Sequence, residues 1–329
     1  MGKPDRKLVK QVQILLTERG RKAFEIAKDS ILQEKIDCPL TSDALRYFMK
    51  DFWYDVVHPA LLSLTNEAVG GTANATTHVG AAMVLLAGAA DVHDDIIDQS
   101  TIKDSKLTVF GKFGKDIAIL TGDILLFEGL TILDKACEAF PEDQRKAILE
   151  LTKRAFFEIS SAEAKETKLR ARIDASPIEY LNLIRAKASV AEAHARIGAI
   201  IGGATLEETE RLGHYGRTIG VLMSVRDEFV DMFEPEELIN RIKNECLPLP
   251  ILFALKDPRK EKRIMSLLKP SLSKGETNQI VELVMEAKQV LRLKKEMMAM
   301  ILYEKQSLPC VKKCAAEFDL LLNSAMEDL

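Results

Sequence analysis

Apolar residues recur at three- and four-residue intervals through most of the chain, and no run alternates β-branched with polar residues between hairpin signals. The first period belongs to amphipathic helices, the second to strands. The pattern predicts helices over 6–36, 41–54, 57–69, 73–98, 115–138, 142–170, 177–203, 206–233, 246–255, 258–268, 275–305 and 309–327. Pro59, Pro141, Pro177, Pro235, Pro258, Pro270 and Pro309 punctuate these segments. Proline lacks an N–H and clashes with the preceding turn, so it starts helices more readily than it continues them. Ser176-Pro177-Ile178-Glu179 places a capping Ser, a first-position Pro and a Glu three residues after the cap, and Thr205 to Glu208 repeats the Thr-to-Glu spacing. Asp257-Pro258 opens another helix. No linker or fixed repeat divides the sequence, so the expectation is one all-α domain over 1–329, a bundle of long helices.

Residues 81–90, AAMVLLAGAA, are apolar around most of a helical turn and call for burial. They run directly into Asp91, Asp94, Asp95 and Asp98. Positions three and four apart share a helix face, so these carboxylates crowd together. Crowded carboxylates repel and take up protons unless a cation sits among them. A second helix repeats the device: Gly220 to Met223 is apolar, and Asp227, Glu228 and Asp231 follow with the spacing of Asp94, Asp95 and Asp98. A single acidic triplet reads as a solvated helix end. Two of identical spacing, each behind an apolar stretch, read as ligands. All-oxygen donors without a His or Cys cage suit Mg²⁺, whose shell is completed by water and phosphate. His93 fits either a hydrogen-bonding role beside the first triplet or simple packing.

Composition narrows the classes. The 329 residues are 47% hydrophobic and 29% charged, which excludes a mostly disordered chain. Lys and Arg number 46 against 50 Asp and Glu, so no basic footprint for nucleic acid is present. The longest clean apolar run, 79–90, is too short for a transmembrane segment, and no leader pattern opens the chain. Arg6 stands where a myristoylation signal carries Ser or Thr. Five cysteines, an odd number that includes Cys310 and Cys314 one turn apart, fit a reducing cytoplasm and free thiols.

Several stretches resemble the trans-isoprenyl diphosphate synthase (polyprenyl synthetase) superfamily, which shares its fold with class I terpene synthases. They are His93 to Asp98, Lys112 to Asp123, Tyr180 to Ser189, Asp227 to Asp231 and Leu249 to Leu255, in the family's order over roughly 50–256. Helix 6–36 and the region 258–327 match only in helical character. The resemblance implies the isoprenoid synthase fold, helices around a central apolar cavity, in a homodimer. It implies that Asp94, Asp95, Asp98, Asp227, Glu228 and Asp231 bind several Mg²⁺ ions gripping the diphosphate of an allylic prenyl substrate. Lys103 and Lys187 would contact that diphosphate, with Arg226 and Lys243 as further contacts and Arg185 another candidate. Gly88, Ala89 and Ala90 would form the cavity floor, and their small side chains leave room for a C20 or longer chain. Phe156, Phe157 and Phe229 are candidates for steadying a cation.

Four positions depart from the family pattern. Where its elongating members carry Lys, Arg, His and Arg for isopentenyl diphosphate, this chain has Asp55, His58, Ala87 and Asp104. An Asp facing a diphosphate is repulsive by several kcal/mol, to order of magnitude, in a partly dry site. The sequence therefore favours ionisation of an allylic diphosphate followed by cyclisation or transfer to a non-standard acceptor. Ordinary chain elongation with a rebuilt acceptor site is the alternative, and a non-catalytic partner subunit or prenyl-lipid binder a third reading. The low aromatic content, 6%, weighs against a cyclase.

Overall fold

The structure, a computed structural model, describes residues 6–103, 105–269, 271–307 and 313–325. Asp104, Pro270, Pro309 and Cys310 lie outside them. Among the described residues the order is α1 (Arg6–Gln33), α2 (Pro39–Tyr47), α3 (Val57–Ala68), α4 (Thr77–Ile97), β1 (Ile102–Lys103), β2 (Lys106–Leu107), α5 (Val109–Phe113), α6 (Lys115–Cys137), α7 (Glu142–Glu166), α8 (Pro177–Lys187), α9 (Ser189–Ile201), α10 (Leu206–Val230), α11 (Pro235–Asn244), α12 (Leu249–Ala254), α13 (Glu261–Leu267), α14 (Lys274–Met285), α15 (Lys288–Ser307) and α16 (Ala315–Ser324). The fold is all-α. The two short strands form a single antiparallel hairpin between α4 and α5, an element the helical periodicity does not predict.

Helix α4 is the axis of the bundle, packed by α1, α3 and α6. Met83, Val84, Leu85, Leu86 and Val92 on it are each 5% exposed or less. Burying side chains of this size contributes about 1.5–3 kcal/mol apiece, which overrides the repulsion of the carboxylates that follow. Around the opposite side, α9 packs on α3, α7 and α10.

The expected caps are in place at two helices: Ser176 Oγ accepts from the Glu179 N–H at 3.3 Å, and Thr205 with Glu208 completes a reciprocal capping box. A third box, Ser273 with Glu276, starts α14. Four expectations change. The helix expected over 275–305 breaks at Glu286 and Ala287 into α14 and α15. Asp257 caps only a turn, accepting from the Arg259 N–H, and α13 begins later, at Glu261. The segment 235–244, charged and without a polar cap, still forms α11, with Pro235 at its first turn. The expected 177–203 helix breaks at Ala188 into α8 and α9. Carbonyls freed at such a break need donors; Arg217 of α10 supplies one, reaching the Arg185 carbonyl at 2.8 Å and the Ala186 carbonyl at 3.5 Å.

No helix among the described residues is long and apolar enough to cross a membrane.

Candidate active site

A cavity of about 730 Å³ opens among α3, α4, α7, α8, α9 and α10. Helix α4 lines it with Met83, Leu86, Ala87, Ala90, Asp91 and Asp94, one face read at three- and four-residue steps. Ala90 is therefore on the wall. Gly88 and Ala89, expected there too, face the other way: a Cβ on Gly88 would meet the Phe48 ring at 3.0 Å, and Ala89 is buried in the same cluster. Of the aromatic candidates, Phe156 lines the cavity, Phe157 is exposed on the surface and Phe229 is buried in a separate core cluster. Trp53, which no sequence signal singles out, supplies a second aromatic wall.

One end of the cavity is charged. Asp91, Asp94, Glu163, Lys187 and Ser224 all border it. Ser224 lies one turn before Asp227 on α10, so the two acidic helices meet at this mouth. Lys103, on the hairpin, sits 2.7 Å from Asp91 and 3.8 Å from Asp95, and its charge also favours ionisation of Asp227. Arg241 lies 3.3 Å from Asp231 and likewise favours ionised Asp98. Arg170 closes on Asp98 at 2.9 Å.

The carboxyls hold their protons tightly. Burial, then Glu163 and Asp98, push Asp94 well above the usual carboxylate range. Burial, then Asp91, raise Asp95 to about 7, and burial first, then Glu228, raises Asp231 to about 7 and Asp227 to about 6. Glu245, beside them, reaches about 8 for the same first reason, reinforced by Asp98. Asp91 Oδ2, Asp94 Oδ1 and Asp95 Oδ2 are buried without a hydrogen-bond partner. Orphaned carboxylate oxygens demand a cation.

These unfilled oxygens suit Mg²⁺. Asp94, Asp95, Asp98, Asp227 and Asp231 offer hard oxygen donors, several unfilled. Among the described residues no three His, Cys, Asp or Glu side chains enclose a common point. The donor set suits an ion that takes one or two carboxylates and completes its shell with water and phosphate. Glu228 does not fit. Its oxygens accept from Tyr180 Oη at 2.7 Å, Arg241 Nη2 at 2.8 Å and the Leu249 N–H at 2.7 Å. It is a buried brace for α8, α11 and α12.

The cations are redistributed as well. Lys187 is held by Glu163 at 2.8 Å and Glu166 at 2.6 Å, a carboxylate pair on α7 absent from the sequence expectation. Arg226 is 4.0 Å from Asp227, and Arg185 is exposed with Asn182 as a partner. Lys243 is exposed on α11; the cation that reaches the second acidic motif from that helix is Arg241. His93 also lines the cavity, 3.4 Å from Asp123, packed so closely on Gly122 that a Cβ there would stand 2.4 Å from Nε2.

At the positions where isopentenyl diphosphate was expected to lose its site, Asp55 is buried and accepts from the Val57 and His58 N–H groups and from His58 Nδ1. It starts α3. Ala87 leaves an apolar wall.

Residues 56–285 match the family model described as polyprenyl synthetase. The chain belongs to the polyprenyl synthetase family. The match takes in α13 and α14, so resemblance extends beyond residue 256, further than the motifs alone indicate. The chain is 34% identical over 192 residues to the geranylgeranyl diphosphate synthase of Methanosarcina mazei, covering 58% of this chain and 59% of that one. It is 28% identical over 186 residues to the enzyme of that name from Sulfolobus acidocaldarius, covering 56% of each. The chain thus matches under two thirds of the length of these curated relatives. In fold it superposes on the geranylgeranyl pyrophosphate synthetase of Pyrococcus horikoshii with a TM-score of 0.83 at 21% identity, covering 97% of this chain and all of that one. The polyprenyl synthetase of Streptomyces coelicolor gives 0.82 at 20%, covering 95% and 99%.

Proposed function

We propose that this chain is a Mg²⁺-dependent prenyltransferase that ionises an allylic prenyl diphosphate. The observation that carries the proposal is the division of one cavity of about 730 Å³ into a carboxylate-lined mouth and an apolar barrel. That volume lies in the range of cavities that enclose whole small molecules, about 300–1,000 Å³, and supports a long chain of C20 or more.

Asp94, Asp95, Asp98, Asp227 and Asp231 hold the metal in this reading, and Lys187 and Lys103 present positive charge to the diphosphate. Bound Mg²⁺ supplies charge neutralisation to the departing diphosphate. Met83, Leu86, Phe156 and Ile197 exclude water from the hydrocarbon, so the allylic cation meets an alkene first. Trp53 and Phe156 offer ring faces to the cation.

The names of the relatives support chain elongation, with isopentenyl diphosphate as acceptor, as the first reading. A second reading, cyclisation or a different acceptor, is favoured by one observation: the buried Asp55–His58 pair occupies positions where a second diphosphate needs fixed positive charge. Incubation of purified protein with C10 to C25 allylic diphosphates and Mg²⁺, alone and with isopentenyl diphosphate, decides between them. Lengthened diphosphates establish elongation; hydrocarbon or alcohol products formed without isopentenyl diphosphate establish the second reading; no turnover in either arm overturns both.

A second copy of the chain is the proposed partner. Leu120, Phe127 and Leu130 share an exposed face of α6, with Phe127 75% exposed, and such a stripe is costly to leave in water. Residence in the cytoplasm remains part of the proposal.

A further inference from the structure

The cavity wall carries a polar pair that the metal and diphosphate chemistry does not use. On α9 the cavity-facing side chains are Val190, Ala193, His194 and Ile197, so His194 interrupts an apolar face. It is 4% exposed, and neither of its ring nitrogens has a hydrogen-bond partner. The His58 ring of α3 stands beside it in the same wall, centroids 5.0 Å apart. His58 Nδ1 lies 2.8 Å from Asp55 Oδ2, which leaves Nε2 for a further partner. The carboxylate is fixed in turn by the Val57 and His58 N–H groups at 2.9 and 3.2 Å, so the His58 ring is held in one orientation.

A buried imidazole with both nitrogens idle costs stability unless something in the cavity meets it. The charges of the pair narrow what that is. Burial pushes the His58 imidazolium down, but the Asp55 charge and hydrogen bond outweigh it. Burial, then the charge of His58, hold His194 at about 3, so it is neutral. Asp55 and His58 offset one another and His194 adds no charge. A neutral imidazole has one N–H donor and one bare acceptor nitrogen, whereas an imidazolium donates from both nitrogens. The wall therefore presents a donor at His58 Nε2 beside an acceptor on His194.

A diphosphate accepts only and is strongly anionic; it would leave the bare nitrogen of His194 idle and face the Asp55 carboxylate. An ammonium donates only and would meet the His58 imidazolium. A hydroxyl is the smallest group that does both: its oxygen accepts from His58 Nε2–H while its O–H donates to His194. Rings 5.0 Å apart stand close enough for one oxygen to lie about 2.8 Å from a nitrogen of each.

We propose that His58 and His194 form a binding subsite for an uncharged hydroxyl group on an organic ligand held in the barrel, with Asp55 as the positioning residue of His58. The inference deepens the prenyltransferase reading above and rests on its allylic diphosphate. The hydroxyl belongs to the tail of the prenyl diphosphate or to a second molecule lying beside it; either source presents the same uncharged oxygen. The pair binds and exchanges no proton with the substrate.

Calorimetry on the full chain with Mg²⁺ compares farnesyl thiolodiphosphate with the same molecule hydroxylated at a terminal methyl. In a second arm, isopentenol and isopentenyl diphosphate are each titrated into the complex with farnesyl thiolodiphosphate. A preference of about tenfold or more for the hydroxyl-bearing probe is expected in one arm, the size of a hydrogen bond to a charged group. Preference for the hydroxylated chain assigns the subsite to the tail; preference for isopentenol over isopentenyl diphosphate assigns it to a second molecule. His194→Leu is expected to bring that preference within about threefold while still binding farnesyl thiolodiphosphate. Nitrogen NMR of the wild type needs no variant: the bare ring nitrogen of His194 is expected to report a new hydrogen bond with the preferred probe and none with farnesyl thiolodiphosphate alone. If wild type fails to bind farnesyl thiolodiphosphate, the allylic reading falls and the inference with it. If it binds, then preferences within about threefold in both arms, a preference that survives His194→Leu, or an unchanged His194 nitrogen each overturn the inference alone.

Discussion

Arg241 donates from Nη2 to both carboxylate oxygens of Glu228 at 2.8 Å, with both side chains less than a tenth exposed. The pair fills a position that the spacing of the acidic motif assigns to metal. Its engagement makes the two acidic motifs unequal in the proposed metal site: the first would contribute three carboxylates, the second two.

Glu228→Gln is therefore expected to lower stability while leaving Mg²⁺ uptake in the presence of an allylic thiolodiphosphate within about threefold. Asp95→Asn is expected to abolish that uptake. Arg241→Met strands a buried carboxylate and is expected to cost about 3–5 kcal/mol in urea unfolding. Calorimetric titration and denaturation curves separate the two roles; equal loss of metal uptake in Glu228→Gln and Asp95→Asn would return Glu228 to the ligand set.

Stability should fall as pH rises from about 4 to 8, most cleanly between about 6.5 and 8, where His194 no longer opposes the decline. Asp95 and Asp231 at about 7 and Glu245 at about 8 keep protons in the folded state that the unfolded chain releases near 4. The folded state binds more protons in that window, so the slope of stability with pH is negative. His194, at about 3 folded against about 6.5 unfolded, acts below pH 6.5 with the opposite sign. Saturating Mg²⁺ and diphosphate analogue replace the protons and should flatten the alkaline decline. Thermal melts at several pH values check this, and a melting temperature that climbs between about 6.5 and 8 without metal would contradict it.

Ala90→Phe is expected to shorten the longest product by at least one isoprene unit, because Ala90 lies on the wall just beneath Asp91 and Asp94. Gly88→Ala should leave product length alone. Its new methyl meets the Phe48 ring at 3.0 Å, so it should instead cost about 1–3 kcal/mol of stability, as overpacking does. Product chromatography and urea unfolding distinguish the outcomes.

Phe127→Lys is expected to shift the protein from dimer to monomer in sedimentation velocity, with helicity unchanged. A wild type that sediments as a monomer would remove the proposed partner copy.

Much of the bundle was legible because burial writes a 3.6-residue period into α1, α4, α6 and α10. The caps at Ser176 and Thr205 were legible because one side chain and one N–H decide them locally. Helix α11 was not, since its charged sequence folds around Arg241, whose partners lie on α8 and α10. The acids of α4 and α10 stood out against the apolar stretches before them. Glu163 and Glu166 did not, because α7 is charged along its whole length and only Lys187 shows which carboxylates face inward. The family resemblance put Gly88 and Ala89 at the cavity floor; the helical phase assigns them to Phe48 and its cluster instead. His58 and His194 are distant in sequence, and only the contact of α3 with α9 brings their rings together.

The interruption at Ala188 separates two tasks that one continuous helix would have to share. Lys187 ends a segment oriented by anion contacts, and His194 belongs to a segment oriented by hydrocarbon packing. Arg217 staples the joint, so the angle between the segments is set from α10, the helix that also bears Asp227. Movement of that helix when a substrate docks would be transmitted to the barrel wall through this joint and through the packing of α10 on α9, coupling recognition of the head group to the shape offered to the tail.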